Sequence, residues 1–179
     1  NTITNAFKAD LRTKATGSNM GASDILETFV IHGQTSASIS AQNAEEARIL
    51  IQFDLNKISS DRSAGTIPAS GSVNFYLKMF NAAHADTTPE NLTLDVKILS
   101  ASWDEGRGLD MENYTDIGKC NWVSASSTTA WATTGSDYHA LTAVNNFSGS
   151  VTFVKGNEDL ELEVTPAVEN WLDGTKTNY

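Results

Sequence analysis

The chain has 179 residues, 40% of them hydrophobic and 19% charged, with a formal net charge of -10. That length suits one domain, 1–179, and the apolar share supports a packed core. A field of this sign repels phosphate backbones and argues against nucleic acid as a partner, and the lone Cys120 excludes an intrachain disulfide. No apolar run approaches the ~18 residues of a membrane span, so no membrane is expected as a partner. The opening Asn1-Thr2-Ile3-Thr4 lacks the basic-then-apolar pattern of a signal peptide.

Taken in chain order, residues 26–32 read as an irregular strand. In 48–55, Ile49, Ile51, Phe53 and Leu55 fall on one face, with Gln52 and Asp54 on the other. Residues 59–72, with Asp61, Gly65, Pro68 and Gly71, read as a polar breaker segment. In 72–80, Val73, Phe75, Leu77 and Met79 alternate with Asn74, Tyr76 and Lys78. A second breaker, 82–91, contains Pro89. In 92–99, Leu92, Leu94, Val96 and Ile98 alternate with Thr93, Asp95 and Lys97. Residues 150–154 are a less regular strand, and in 159–164 Leu160, Leu162 and Val164 alternate with Glu161 and Glu163. Side chains of a strand point to opposite faces in turn, so each alternating run predicts a sheet with one buried and one wet side. That pattern marks antiparallel sheets rather than a parallel α/β sheet.

Between the strands, 99–147 is a long connection rich in Ser, Thr, Gly and Asn that holds Trp103, Trp122 and Trp131. It amounts to an insert at about 103–138, and connections of that length are usually functional or elaborately packed. One helix is predicted near the end, capped by Thr165, with Pro166 in its first position and Gly174 ending it. Its apolar stripe is Val168, Trp171 and Leu172. The expected fold is all-β: a two-sheet antiparallel β-sandwich of jelly-roll form with one short C-terminal helix. An immunoglobulin-type sandwich competes, without its Cys…Trp…Cys spacing.

Catalytic chemistry finds no pattern. His32, His84 and His139 lie far apart, and there is no nucleophile elbow or phosphate-binding glycine loop. Cys120, beside Asn121 and Trp122, reads as a semi-buried packing group. The densest polar stretch runs from Trp103 to Asp116. Its carboxylates Asp104, Glu105, Asp110, Glu112 and Asp116 can ligate calcium through oxygen, although the spacing is not that of an EF-hand. Alternatively Arg107 pairs with one of them in a purely structural loop, or two act as a glycosidase pair across a groove. Trp122, Trp131, Tyr114 and Tyr138 can grip a sugar ring or a partner by their faces, or can anchor the connection. The triplets at Asn91, Asn113 and Asn146 match the N-glycosylation pattern and read as chance.

The order of motifs resembles a known family. Ala47-Arg48-Ile49-Leu50-Ile51-Gln52-Phe53-Asp54-Leu55 is similar to the "SR-x-LL-x-FDL" strand of DNRLRE-type domains. Residues 71–77, then Trp103-Asp104-Glu105, then Val164-Thr165-Pro166 with Trp171 and Gly174, resemble later motifs of that family. Ala9-Asp10 and Asn19-Met20-Gly21 resemble its opening. The resemblance spans nearly the whole chain and implies a jelly-roll sandwich that serves as a non-catalytic extracellular module, in some relatives a carbohydrate-binding one. Residues 106–138 depart from the pattern. Residues 103–116, together with 72–82, look like virion structural proteins of tailed phages, particularly marine ones. The expectation is a non-catalytic virion structural protein (capsid decoration, fibre or appendage) at the virion surface, acting in assembly or adhesion. Its expected partners are other virion proteins and further copies of itself, with polysaccharide as a candidate ligand. No cofactor is expected, with calcium the one candidate. The alternative is a carbohydrate-binding module of a secreted or cell-surface protein.

Overall fold

The computed structural model describes residues 2–8, 17–28, 30–36, 39–83, 88–109, 119–140 and 147–179, with the backbone alone over 2–8, 30–36 and 39–45. Among the described residues the chain is mostly strand, in small antiparallel sheets, with two short helices. It divides into two compact units, one of residues 1–53, 101–137 and 179, the other of 54–100 and 138–178.

The first unit holds a three-stranded antiparallel sheet. Strand β3 (Ile39–Gln52) lies at its centre, flanked by β1 (Thr2–Lys8) and β2 (Val30–Ser36). The register pairs Ile3 with Ile51 and Lys8 with Glu46 on one side, and Val30 with Glu46 on the other. β3 begins nine residues before the expected 48–55 and stops at Gln52. Nor does it show the expected division of faces. Among its described side chains Ala47 and Leu50 are buried, whereas Ile49 and Ile51, and Phe53 just beyond it, are only half-buried. The expected strand at 26–32 is corrected to β2, with 26–28 outside any strand.

The second unit is built by simpler rules. Strand β4 (Tyr76–Met79) pairs antiparallel with β7 (Leu160–Glu163), placing Leu77 beside Leu162 and Met79 beside Leu160. Strand β5 (Leu92–Lys97) pairs with β6 (Ser148–Phe153), placing Leu94 beside Val151 and Leu92 beside Phe153. Burial alternates along all four strands, with Ile98, Phe153 and Leu160 the most enclosed. The wet sides carry polar cross-strand pairs, Lys78 with Glu161 at 2.9 Å and the Thr93 and Thr152 hydroxyls at 2.8 Å. The two ribbons meet at Gly149, where an added Cβ would lie 2.7 Å from Leu162 Cδ2.

Two helices complete this unit. The expected breaker at 59–72 contains instead the end of helix α1 (Asn56–Ser63), which starts where Asp54 Oδ1 accepts the amide N–H of Asn56 at 2.9 Å. None of its residues is buried, so no apolar stripe marks it in the sequence. Helix α2 (Thr165–Leu172) is present as expected, but its capping differs. Val164 occupies the cap position, and Thr165 Oγ1 turns away, accepting from Phe75 N at 2.9 Å and donating to Glu163 at 3.0 Å. The helix buries Ala167, Val168 and Asn170, while Trp171 and Leu172 of the expected stripe are half-buried.

Leu160→Ala should lower unfolding free energy by about 2–5 kcal/mol in urea titrations, from lost burial and the cavity left behind. Glu161→Gln should cost less than about 1 kcal/mol, because the Lys78 and Glu161 side chains are 57% and 58% exposed. Equal losses in the two variants would contradict the assigned faces of β7.

Candidate functional site

The long connection is where sequence places every candidate binding residue. Its ends close on each other inside the second unit, where Leu99 and Tyr138 form a β-bridge and His139 N donates to Ile98 O at 3.0 Å. Residues 101–137 between them belong to the first unit.

Within that unit the organising group is Asn19, fully buried with Met20 and Cys120. Its Nδ2 donates to Cys120 O at 2.7 Å, and its Oδ1 accepts from Gly21 N at 2.9 Å and Gly108 N at 3.4 Å. One side chain thus ties its own turn to two distant segments, at Gly108 and Cys120. Gly106 passes so close that a Cβ there would fall 1.9 Å from Asn19 Oδ1. From this point hydrogen bonds run outward: Cys120 N to Asp104 O and Asp104 N to Ala125 O, both at 2.9 Å.

The tryptophans lock the far part. Trp122 and Trp131 are 4% and 6% exposed and anchor the connection. Trp131 Nε1 donates to Asn121 O at 2.9 Å, and Gly135 N donates to Trp122 O at 2.7 Å. The Arg48 guanidinium of β3 lies 4.7 Å from the Trp122 ring centroid, and its Nη1 donates to Gly135 O at 3.0 Å. Side-chain acceptors stand in for a ladder. Asn121 Oδ1 takes the N–H groups of Val123 and Ser124, and the Asp137 carboxylate takes those of Ala132 and Thr133.

Tyr138 differs from the tryptophans. It is 43% exposed, and the Lys97 ammonium sits 4.4 Å from its ring centroid. Tyr114 lies outside the described residues, as do Asp110, Glu112 and Asp116 of the proposed calcium set. Asp104 and Glu105 are exposed, and among the described residues no three His, Cys, Asp or Glu side chains gather as metal ligands. The placement of Cys120 is corrected from semi-buried to fully buried. Burial, with the charge of Asp104 second, pushes its thiol up to about 12, so it stays protonated and unreactive at neutral pH.

Asn19, Arg48, Asn121, Asp137 and Lys97 organise this region without having been singled out for it by sequence. Periodicity has no purchase on them, since each acts through a polar head on backbone or on a ring. The one available signal was the placing of Asn19 and Arg48 in the quoted motifs. The chain matches no family model, no curated protein and no solved structure.

Asn19→Ala leaves Cys120 O and Gly21 N without partners and should cost about 3 kcal/mol or more in denaturant titration. In the parent chain Cys120 should resist a thiol reagent at pH 8 and react only on unfolding. Rapid labelling of the folded parent would contradict its enclosure.

His139 yields a pH effect of definite sign. Its Nε2 is enclosed with no hydrogen-bond partner among the described residues, and burial followed by the Lys176 charge lowers its pKa. An unfolded imidazole takes up its proton near pH 6.5 and the folded one only lower. The stabilising contribution is therefore complete above about pH 6.5 and is lost as pH falls toward the folded value. Melting temperature should drop between about pH 7 and pH 5, and less so in His139→Gln; equal slopes would sink this assignment.

Proposed function

We propose that this chain is a non-catalytic structural protein of a virion surface, a capsid decoration, fibre or appendage component acting in assembly or adhesion. The observation that carries the reading is the construction of residues 119–137. Buried tryptophans, Asn121, Asp137 and Arg48 spend their polar groups on holding backbone, which yields a preset surface rather than a reactive cleft. Residues 120–136 contain no Asp, Glu, Lys or Arg in a chain of net charge -10. Such a face lets other virion proteins, or further copies, approach with the least repulsion.

A jelly-roll sandwich of the DNRLRE type is the fold proposed with this reading. The motif order supports it, as do the alternating burial of β4 to β7 and the contact of Gly149 with Leu162. The tailed-phage assignment rests on the likeness of 72–82 and 103–116 to such virion proteins.

A second reading, a carbohydrate-binding module of a secreted or cell-surface protein, has Tyr138 in its favour. Its half-exposed ring beside Lys97 is the one aromatic of the proposed contact set with a described face open to a ligand.

Antibodies raised against the chain should decorate intact particles purified from its source, and the chain should be recovered in them at fixed stoichiometry. Absence from particles, with glycan-array binding that Tyr138→Ala abolishes, would replace the first reading by the second.

A further inference from the structure

Helix α1 is held to its unit by the Arg62–Glu169 ion pair and by one half-buried apolar side chain, Ile58. None of its residues is buried, and at its N-terminus only the exposed Asp54 carboxylate meets a helix N–H, that of Asn56. Eight residues are too few for a helix to persist alone in water. The backbone hydrogen bonds around it are local: Ser59 N to Leu55 O, Ala64 N to Ser60 O, Thr66 N and Ile67 N to Asp61 O, and Ser72 N to Ala69 O. Lys57 pairs with Asp61 inside the helix.

The outward tie is Arg62. Its Nη1 and Nη2 donate to the two oxygens of Glu169 on α2 at 2.7 and 2.8 Å. The two side chains are only 19% and 17% exposed, and the Ser70 side chain lies near the same carboxylate. Two parallel N–H···O bonds fix direction as well as distance. Glu169 thus holds the segment through Arg62, in the last turn of α1. Two glycines in the left-handed region follow it, Gly65 at φ +73 and Gly71 at φ +84, with open space where a Cβ would stand. Only glycine takes those conformations freely, and neither position is braced by packing.

We propose that residues 56–72 form a strap, latched to α2 by Arg62 on Glu169, that opens about Gly65 and Gly71 while β4 to β7 stay folded. Opening exposes the half-buried Ile58 and Ile67 but no fully buried side chain of α1, so the latch weighs heavily in the equilibrium. The open state presents the Glu169 carboxylate and the Arg62 guanidinium as separate charges, each available to an oppositely charged partner.

Hydrogen exchange on the full chain tests this. In the parent, amides 59–67 should exchange faster than those of Leu77 and Leu162; equal protection would mean that no separate opening exists. Glu169→Gln should speed exchange at 59–67 by about tenfold or more, with tryptic cleavage after Arg62 rising in parallel, and leave Leu77 and Leu162 unchanged. Glu169→Asp, which keeps the charge on a shorter arm, should fall between the two. An unchanged rate in Glu169→Gln, or a rise shared equally by β4 and β7, would overturn the proposal.

Discussion

A single buried carboxamide sets the conditions for the irregular half of the first unit. Asn19 offers one donor group and one acceptor oxygen in a place sealed from water, and backbone from its own turn and from two distant segments meets them. A buried backbone group without a partner costs about 1–3 kcal/mol, so an amide that supplies several partners at once decides whether those segments can come together. The neighbours follow from it. Gly106 leaves room for the carboxamide, and Cys120 supplies a small side chain beside it. Cys120 N and Asp104 N then pass the pairing outward to Ala125.

The two units solve the same problem by different means. In the second, pairs such as Leu77 with Leu162 and Leu94 with Val151 satisfy the backbone through ladders and bury one face by alternation. In the first, residues 119–137 have only the Ser124 to Ala130 bridge, and side chains must take the ladder's place. Asn121 and Asp137 accept two N–H groups each, and the Trp131 indole donates to a carbonyl. Buried tryptophan surface supplies the apolar stabilisation that a strand's inner face would otherwise provide. The arrangement depends on particular residues. A ladder tolerates many side chains, whereas Asn121 has few equivalents.

This contrast explains what could be read from sequence. Residues 73–79, 92–98 and 160–164 announced themselves because period two and burial coincide there. The same rule misled at 48–55, where β3 buries Leu50 more deeply than Ile49 or Ile51, and Arg48 faces a tryptophan. A strand covered on both sides has no single wet face for the pattern to report. Helix α1 was illegible for a different reason. It has no apolar stripe, and its partner Glu169 lies 107 residues from Arg62. Within the candidate site the aromatic positions were visible but their roles were divided: Trp122 and Trp131 are enclosed, and Tyr138 is half-open. Composition does not distinguish an anchor from a contact. Only the backbone acceptor that receives the indole N–H does.

Rigidity and charge together constrain what residues 119–137 can do for a partner. Val123, 127–130 and 132–134 are exposed, while the backbone beneath them is already hydrogen-bonded and the nearby rings are enclosed. Little conformational freedom remains to be lost on binding, so even a modest contact area yields net affinity. Long-range steering is weak over 120–136, which hold no Asp, Glu, Lys or Arg, and the net charge of -10 repels further copies wherever acidic groups meet. A contact between copies is therefore favoured where acidic groups are absent and shape is set in advance. Those two properties suit repeated lattice or fibre contacts better than capture of a diffusing charged ligand, and this is why assembly takes precedence over glycan binding in the proposed function.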